Sequence, residues 1–296
     1  RDRIVPMVVA CPLFLQNLDT SVMATALPSI AHSLNVPVLN LNLAITSYLL
    51  SLAVFLPLSG WFAERFGARR VFCGAIAFFS LGSALCGAAN SLPSLVLFRV
   101  LQGLGGAMMV PVGRLILLRS VPSARMVAAM VWFTVPPTIG RMAGPLFGGA
   151  IVTWASWRWV FLVNIPFGLI GIALALTFID ERHEDAAPAP FDAVGFVLLA
   201  LGLTALLGAM EATGKSLVAG WVTGAGAVLG ALALGLYILH SRRVARPIID
   251  LAILRYRTYR AAIFACMPLL IAIGASPYLL RLMLQWLRAD FYNPIS

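Results

Sequence analysis

Charge is scarce in this chain of 296 residues: 11% of them are Asp, Glu, Lys or Arg, against 61% hydrophobic ones, and mean hydropathy is +0.94. Soluble domains run at roughly a quarter charged. Such a composition excludes a water-soluble globular domain and points to an integral membrane protein. Lysine is nearly absent, since all 21 basic residues but Lys215 are arginine, and 11 acidic residues leave a net charge of +10. Nucleic-acid binding requires a basic face on a folded surface. Here the arginines stand between apolar segments, so no nucleic-acid partner is expected. The four cysteines, Cys11, Cys73, Cys86 and Cys266, sit singly in apolar stretches with no paired spacing and no nearby histidine. That pattern indicates neither a disulfide framework nor a metal site. His32, His183 and His240 fall in or beside loops and read as solvated polar residues. No nucleophile, base and acid cluster occurs, and no glycine loop follows a strand to cradle a phosphate. An enzyme is not expected, and neither is a cofactor.

Runs of about 20 apolar residues, the length that crosses a hydrocarbon core of about 30 Å, are abundant. Nine are expected, at 6–28, 41–63, 71–90, 93–118, 127–153, 159–179, 193–211, 217–239 and 259–285. Arg99, Arg114 and Arg281 interrupt the fourth and ninth. Arginines gather in alternate loops: Arg65, Arg69 and Arg70 after span two, Arg119 and Arg125 after span four, Arg182 after span six, and six more between Arg242 and Arg260. The positive-inside rule therefore expects a cytoplasmic amino terminus and, with nine spans, an outer carboxyl terminus. Arg1 is not an initiator methionine and the first apolar segment is too long for a leader core, so no cleavable leader is expected. The segment PIIDLAILRYRTYR, beginning at Pro247, mixes apolar and basic residues at helical spacing. It suits a short helix on an anionic lipid surface at the cytoplasmic face.

One carboxylate, Asp19, lies inside the first apolar segment. A charge near a bilayer centre costs roughly 2.5 to 3.5 kcal/mol on insertion scales, and such residues mark ion, proton or substrate pathways. Arg99 lies in span four, one turn before Gln102 and ahead of Gly103, Gly105 and Gly106. Helix rise puts Arg99 roughly 10 Å and Asp19 roughly 13 Å inside the outer ends of their spans. The two depths allow a pair.

Several motifs carry a family resemblance. GWFAERFGARR, in the loop between spans two and three, presents Gly60, Glu64, Arg65, Gly67, Arg69 and Arg70. It resembles the signature loop of the major facilitator superfamily, with Glu64 where Asp is usual and Ala68 in place of a basic residue. FRVLQGLGGAMMVP, from Phe98, is similar to the fourth-helix motif of proton-coupled members. IGRMAGPLFGG, from Ile139, matches the fifth-helix antiporter motif through Gly140, Gly144, Pro145, Gly148 and Gly149, with Arg141 as an extra charge of no assigned role. LDTSVMATALPSI and WRWVFLVNIPFG resemble the first-helix motif and the fifth-to-sixth-helix junction of drug:proton antiporters of the fourteen-span EmrB/QacA type.

The resemblance implies an all-α polytopic membrane protein with three parts: a six-helix half over 1–180, a linker with two inserted helices over 181–258, and over 259–296 the first helix of an incomplete second half. On that plan five further spans are expected beyond Ser296, and the piece alone would not transport. It implies proton-driven export of amphipathic, drug-like compounds across the bacterial inner membrane, with the proton gradient as energy source. Asp19 would be the proton-responsive carboxylate, with Arg99 and Gln102 beside it, and Met108, Met109, Trp132 and Phe133 are candidate pocket residues. A periplasmic adaptor and an outer-membrane channel would suit the EmrB-like resemblance. Two rival readings are a proton symporter for a small organic ion and a non-transporting membrane scaffold.

Overall fold

A computed structural model describes residues 4–180, 190–215, 220–268, 272 and 283, and all regular structure among them is helical. The chain divides into two compact units, Arg1–Ile248 and Ile249–Ser296. The first holds ten helices among its described residues: α1 (Ile4–Leu34), α2 (Val38–Phe55), α3 (Leu58–Phe66), α4 (Ala68–Gly87), α5 (Leu92–Ser120), α6 (Met126–Trp154), α7 (Trp159–Leu162), α8 (Asn164–Phe178), α9 (Ala193–Lys215) and α10 (Gly220–Ser241). The second contains a 3-10 turn, Leu251–Arg255, capped by Asp250, and helix over 257–268. Most of the expected ninth span lies outside the described residues, as do 181–189 of the linker and His183. The amphipathic helix expected near residue 250 is limited to that 3-10 turn and the start of the following helix.

Among the described residues, seven helical stretches are long and apolar enough to cross a membrane. The expected fifth span differs in degree: α6 has 29 residues, but Pro136, Pro137 and Arg141 and its glycines dilute its apolarity below the others. The expected second span is broken. Pro57 has no N–H to continue the ladder, so α2 ends at Phe55 and α3 restarts at Leu58. The expected sixth span is likewise two pieces, α7 and α8, joined at Val163. α5 begins where its chemistry dictates: Ser91 accepts from the Ser94 backbone N–H, Ser94 returns the favour, and Pro93 occupies the first turn.

In the signature loop, Gly67 has φ 88° and ψ 138°, a conformation side chains rarely adopt, and it turns the chain from α3 into α4. Arg69 then donates to the Ile179 carbonyl just past the end of α8, at 3.2 Å, where a helix dipole welcomes a cation. Gly60 does not provide a close approach within this unit. It lies in α3 with open space around it. His240 is not simply solvated either: its Nε2 lies 2.8 Å from Asp192 Oδ1, which also accepts from the Gly195 N–H at the start of α9. Asp192 thus fastens the ends of α9 and α10 together. Phe55, Trp61, Phe191 and Phe196 stack at ring separations of 4.9 to 6.1 Å and hold α9 against α2 and α3.

Among the described residues the core is two apolar clusters. One gathers Val9, Leu13, Phe72, Phe79, Met109, Ile116 and Phe133; the other gathers Met23, Ile30, Leu41, Leu95, Trp157 and Phe161. Between them runs a polar belt of Gln16, Asp19, Ser51, Ser80, Ser83, Arg99, Gln102 and Asn164. Apart from Ser59 and Ser241, every buried polar side chain among the described residues belongs to it.

Replacing Gly67 with alanine should lower the unfolding free energy of this chain in detergent by about 1 to 3 kcal/mol, the cost of a Gly-only conformation. Gly60→Ala should leave it unchanged or raise it, because a helix interior favours alanine. Chemical denaturation followed by circular dichroism reads both.

Candidate functional site

Asp19 lies fifteen residues from either end of α1 and is 1% exposed. The sequence reading put it nearer the outer end because α1 was expected to stop at residue 28; the helix continues to Leu34. Arg99 lies only seven residues into α5. The two meet because α1 outruns α5 by eight residues, about 12 Å of helix. Arg99 Nη1 donates to Asp19 Oδ2 at 2.7 Å, with both side chains sealed from solvent.

The other carboxylate oxygen is held by neutral donors. Gln102 Nε2 donates to Asp19 Oδ1 at 3.2 Å, and Asn164 Nδ2 donates to the same atom at 2.9 Å. Gln102 Oε1 also accepts from Arg99 Nη1 at 2.9 Å, closing a triangle with the carboxylate. Asn164 donates its second N–H to Ser83 Oγ at 2.9 Å, and Ser83 donates to the Phe161 carbonyl at 2.8 Å. α1, α5 and α8 therefore meet on one carboxylate, and α4 joins them through Ser83, which orients Asn164. Arg99 contacts it through a single nitrogen. Its guanidinium lies over the rings of Phe161 and Tyr48, at 4.8 and 5.4 Å from their centroids, while Nε and Nη2 have no hydrogen-bond partner among the described residues. Cation–π attraction takes the place of those bonds.

Glycines allow the approach. A Cβ at Gly103 would fall 2.6 Å from Ser51 Cβ, and one at Gly105 would strike the backbone of Phe79, so α5 lies almost backbone to backbone on α2 and α4.

The antiporter-type motif forms the seam between α6 and α1. Gly140, Gly144 and Gly148 face Phe14, Ser21 and Thr25 without room for a Cβ, whereas Gly149 faces open space. Pro145 has no N–H to offer the carbonyl four residues earlier, which belongs to Arg141. Ser21 Oγ donates to that carbonyl at 2.8 Å. A hydroxyl of α1 thus satisfies the acceptor that the motif's proline orphans, as a low-dielectric setting demands.

Three of the four pocket candidates lie together in the apolar core, and Trp132 stands apart. Met108, Met109 and Phe133 are buried in the apolar core and line no open surface, because α5 and α6 turn them inward; Trp132 is exposed. Glu64 and Arg65 are exposed at the end of α3, and Arg70 begins α4 beside Arg69. Sequence reasoning missed Asn164, Ser83 and Ser21. Asn164 was visible as an amide in an apolar span before Ile165-Pro166, and Ser21 as a hydroxyl opposite a glycine-proline step. Ser83 had no distinguishing signal.

A family model described as Major Facilitator Superfamily matches residues 9–289. The chain belongs to the major facilitator superfamily. Solved structures of this superfamily share the fold. A POT family transporter, PepTSo, aligns with TM-score 0.57 at 16% identity, over 80% of this chain and 52% of its own. A D-xylose–proton symporter aligns with TM-score 0.54 at 14% identity, over 72% and 69%. By sequence the chain is 41% identical over 278 residues to the "Putative multidrug resistance protein MdtD" of Salmonella heidelberg (strain SL476), and equally to that of Salmonella typhimurium. These matches take in 94% of this chain and 59% of each relative, so this member of the superfamily spans less than two thirds of the relatives' length. It is a multi-pass membrane protein.

An arginine cannot shed its charge, whereas a carboxylate can take a proton. Asp19→Leu should therefore cost more stability than Arg99→Met, approaching the roughly 3 to 5 kcal/mol of an orphaned buried charge. The double variant Asp19→Leu/Arg99→Met should recover most of that loss. Denaturation of all three in detergent gives the comparison.

Proposed function

We propose that the full-length protein is a proton-driven antiporter of the fourteen-span drug:proton type, exporting amphipathic compounds across the bacterial inner membrane with its amino terminus in the cytoplasm. One observation carries the reading: a buried carboxylate at the centre of a spanning helix, held by one cation and two neutral amides from neighbouring helices. Most buried ion pairs serve stability poorly. A pair contacting through one nitrogen, with the remaining lone pairs served by amides, suits a group that gains and loses a proton.

When Asp19 takes a proton, its bond to Arg99 weakens, while the amides of Gln102 and Asn164 still have an oxygen to donate to. The helices that supply those groups, α5 and α8, would then move relative to α1 at little cost. Alternating access in such folds is rocking of one half against the other around a midplane site. A change in the grip on α1 biases that rocking. The glycine seam of α6, in which Ser21 donates to the Arg141 carbonyl that Pro145 leaves free, supports export because this motif resembles that of antiporters. The MdtD relatives, named for multidrug resistance, support an amphipathic drug-like cargo.

Asp19→Asn keeps the side chain's size and shape and removes the titration. In inside-out vesicles of the full-length protein at matched expression, it should abolish dye transport driven by a pH gradient while retaining dye binding. Unchanged transport would rule out the coupling role.

A further inference from the structure

The α1–α6 seam carries a second intramembrane charge that the coupling pair does not use. Arg141 lies fifteen residues from the start of α6 and thirteen from its end, close to the midplane of a spanning helix. Its side chain is exposed on the surface of the unit. Among the described residues its one side-chain hydrogen bond is to a neutral amide: Nη2 donates to Asn17 Oδ1 at 3.3 Å. Asn17 is itself oriented by donating from Nδ2 to the Leu13 carbonyl at 2.9 Å, which leaves its oxygen toward the guanidinium.

Asp19 cannot supply the missing negative charge. Two residues along a helix rotate a side chain by about 200°, so Asp19 and Asn17 leave α1 on opposite faces, and Asp19 is already engaged by Arg99, Gln102 and Asn164. Among the described residues, α6 packs on α1, α7 and the turn Ser123–Arg125, and through Ala129 and Phe133 on α5. Apart from Asp19, none of the four contributes a carboxylate.

The surface around Arg141 is polar where its flanks are not. Thr134 and Thr138 precede it by seven and three residues on α6 and are exposed, their hydroxyls turned back to the Met130 and Thr134 carbonyls. Thr20 and Thr25 of α1 satisfy themselves in the same way. Val135, Met142 and Leu146 are exposed beside this strip. A cation at midplane depth faces a cavity or a partner charge rather than lipid, and this one has donors to spare.

We propose that Arg141 is a substrate-recognition residue that selects amphiphiles bearing a carboxylate, with Asn17 holding the guanidinium in place. The inference rests on the transport reading given above. Substrate and proton would then act on opposite faces of α1, the anion at Arg141 and the proton at Asp19.

The probes are a rhodamine with a free carboxylate and its methyl ester, which share a ring system and differ in the anionic group. Binding of each to purified full-length protein is measured by fluorescence anisotropy, and gradient-driven transport of each in inside-out vesicles. Arg141→Gln should weaken binding of the carboxylate dye by about tenfold or more, the scale of a charge-assisted hydrogen bond. Binding of the ester should stay within about twofold, and Arg141→Lys should restore part of the carboxylate affinity, since a lysine keeps the charge without the planar fork. Equal loss for both dyes would overturn the proposal in favour of a fixed ion pair with another part of the protein. No loss for either would overturn it outright. If the wild type binds the carboxylate dye in an Arg141-dependent way and transports neither dye, the antiport reading fails and the recognition role stands.

Discussion

A carboxylate and a guanidinium meet at 2.7 Å in a helical interior with no solvent access, and much of the architecture follows from accommodating them. Neither charge can be left alone there, because an uncompensated ion in a low-dielectric interior is among the most expensive defects a protein can carry. α1 must reach far enough past the start of α5 to bring Asp19 level with Arg99. α5 must lie almost on the backbones of α2 and α4, which its glycines permit. The break between α7 and α8 must set Asn164 at the head of α8, pointing inward. Ser83 completes the arrangement by orienting that amide. The apolar core is divided in two by the belt these groups form, so a site of this kind also decides how the half-bundle packs.

The second constraint is the proline of the α6 motif. Proline orphans a carbonyl four residues earlier, and in a membrane an orphaned carbonyl needs a partner from another helix. Ser21 provides it. The same glycine row that brings α6 onto α1 thus makes the proline tolerable, and it brings Arg141 beside Asn17. Motif glycines and motif proline act as one device, with a hydroxyl of α1 as its third member.

Much of this was legible in the residues. Apolar run length located the helices, because crossing lipid requires about 20 such residues whatever the fold. Asp19 and Arg99 were conspicuous as charges in apolar runs, but helix rise gave them matching depths only because α1 was expected to end at residue 28. The end of α1 was not legible: His32 and Ser33 read as loop, yet the helix carries them to Leu34. Nor was the break at Pro57, whose surroundings are as apolar as any span. Met108, Met109 and Phe133 show the limit most clearly. Periodicity identifies an apolar face, but whether that face meets a pocket or a neighbouring helix depends on helix rotation, and here it meets helices. Asn164 and Ser83 gain meaning only from Asp19, more than sixty residues away in sequence.

The central claim is that Asp19 exchanges a proton with substrate occupancy. The most direct measurement is proton release from purified full-length protein in lightly buffered detergent solution when a transported dye is added. The account predicts that the wild type releases protons in proportion to dye bound and that Asp19→Asn binds dye without releasing any. Equal release from both proteins would contradict it.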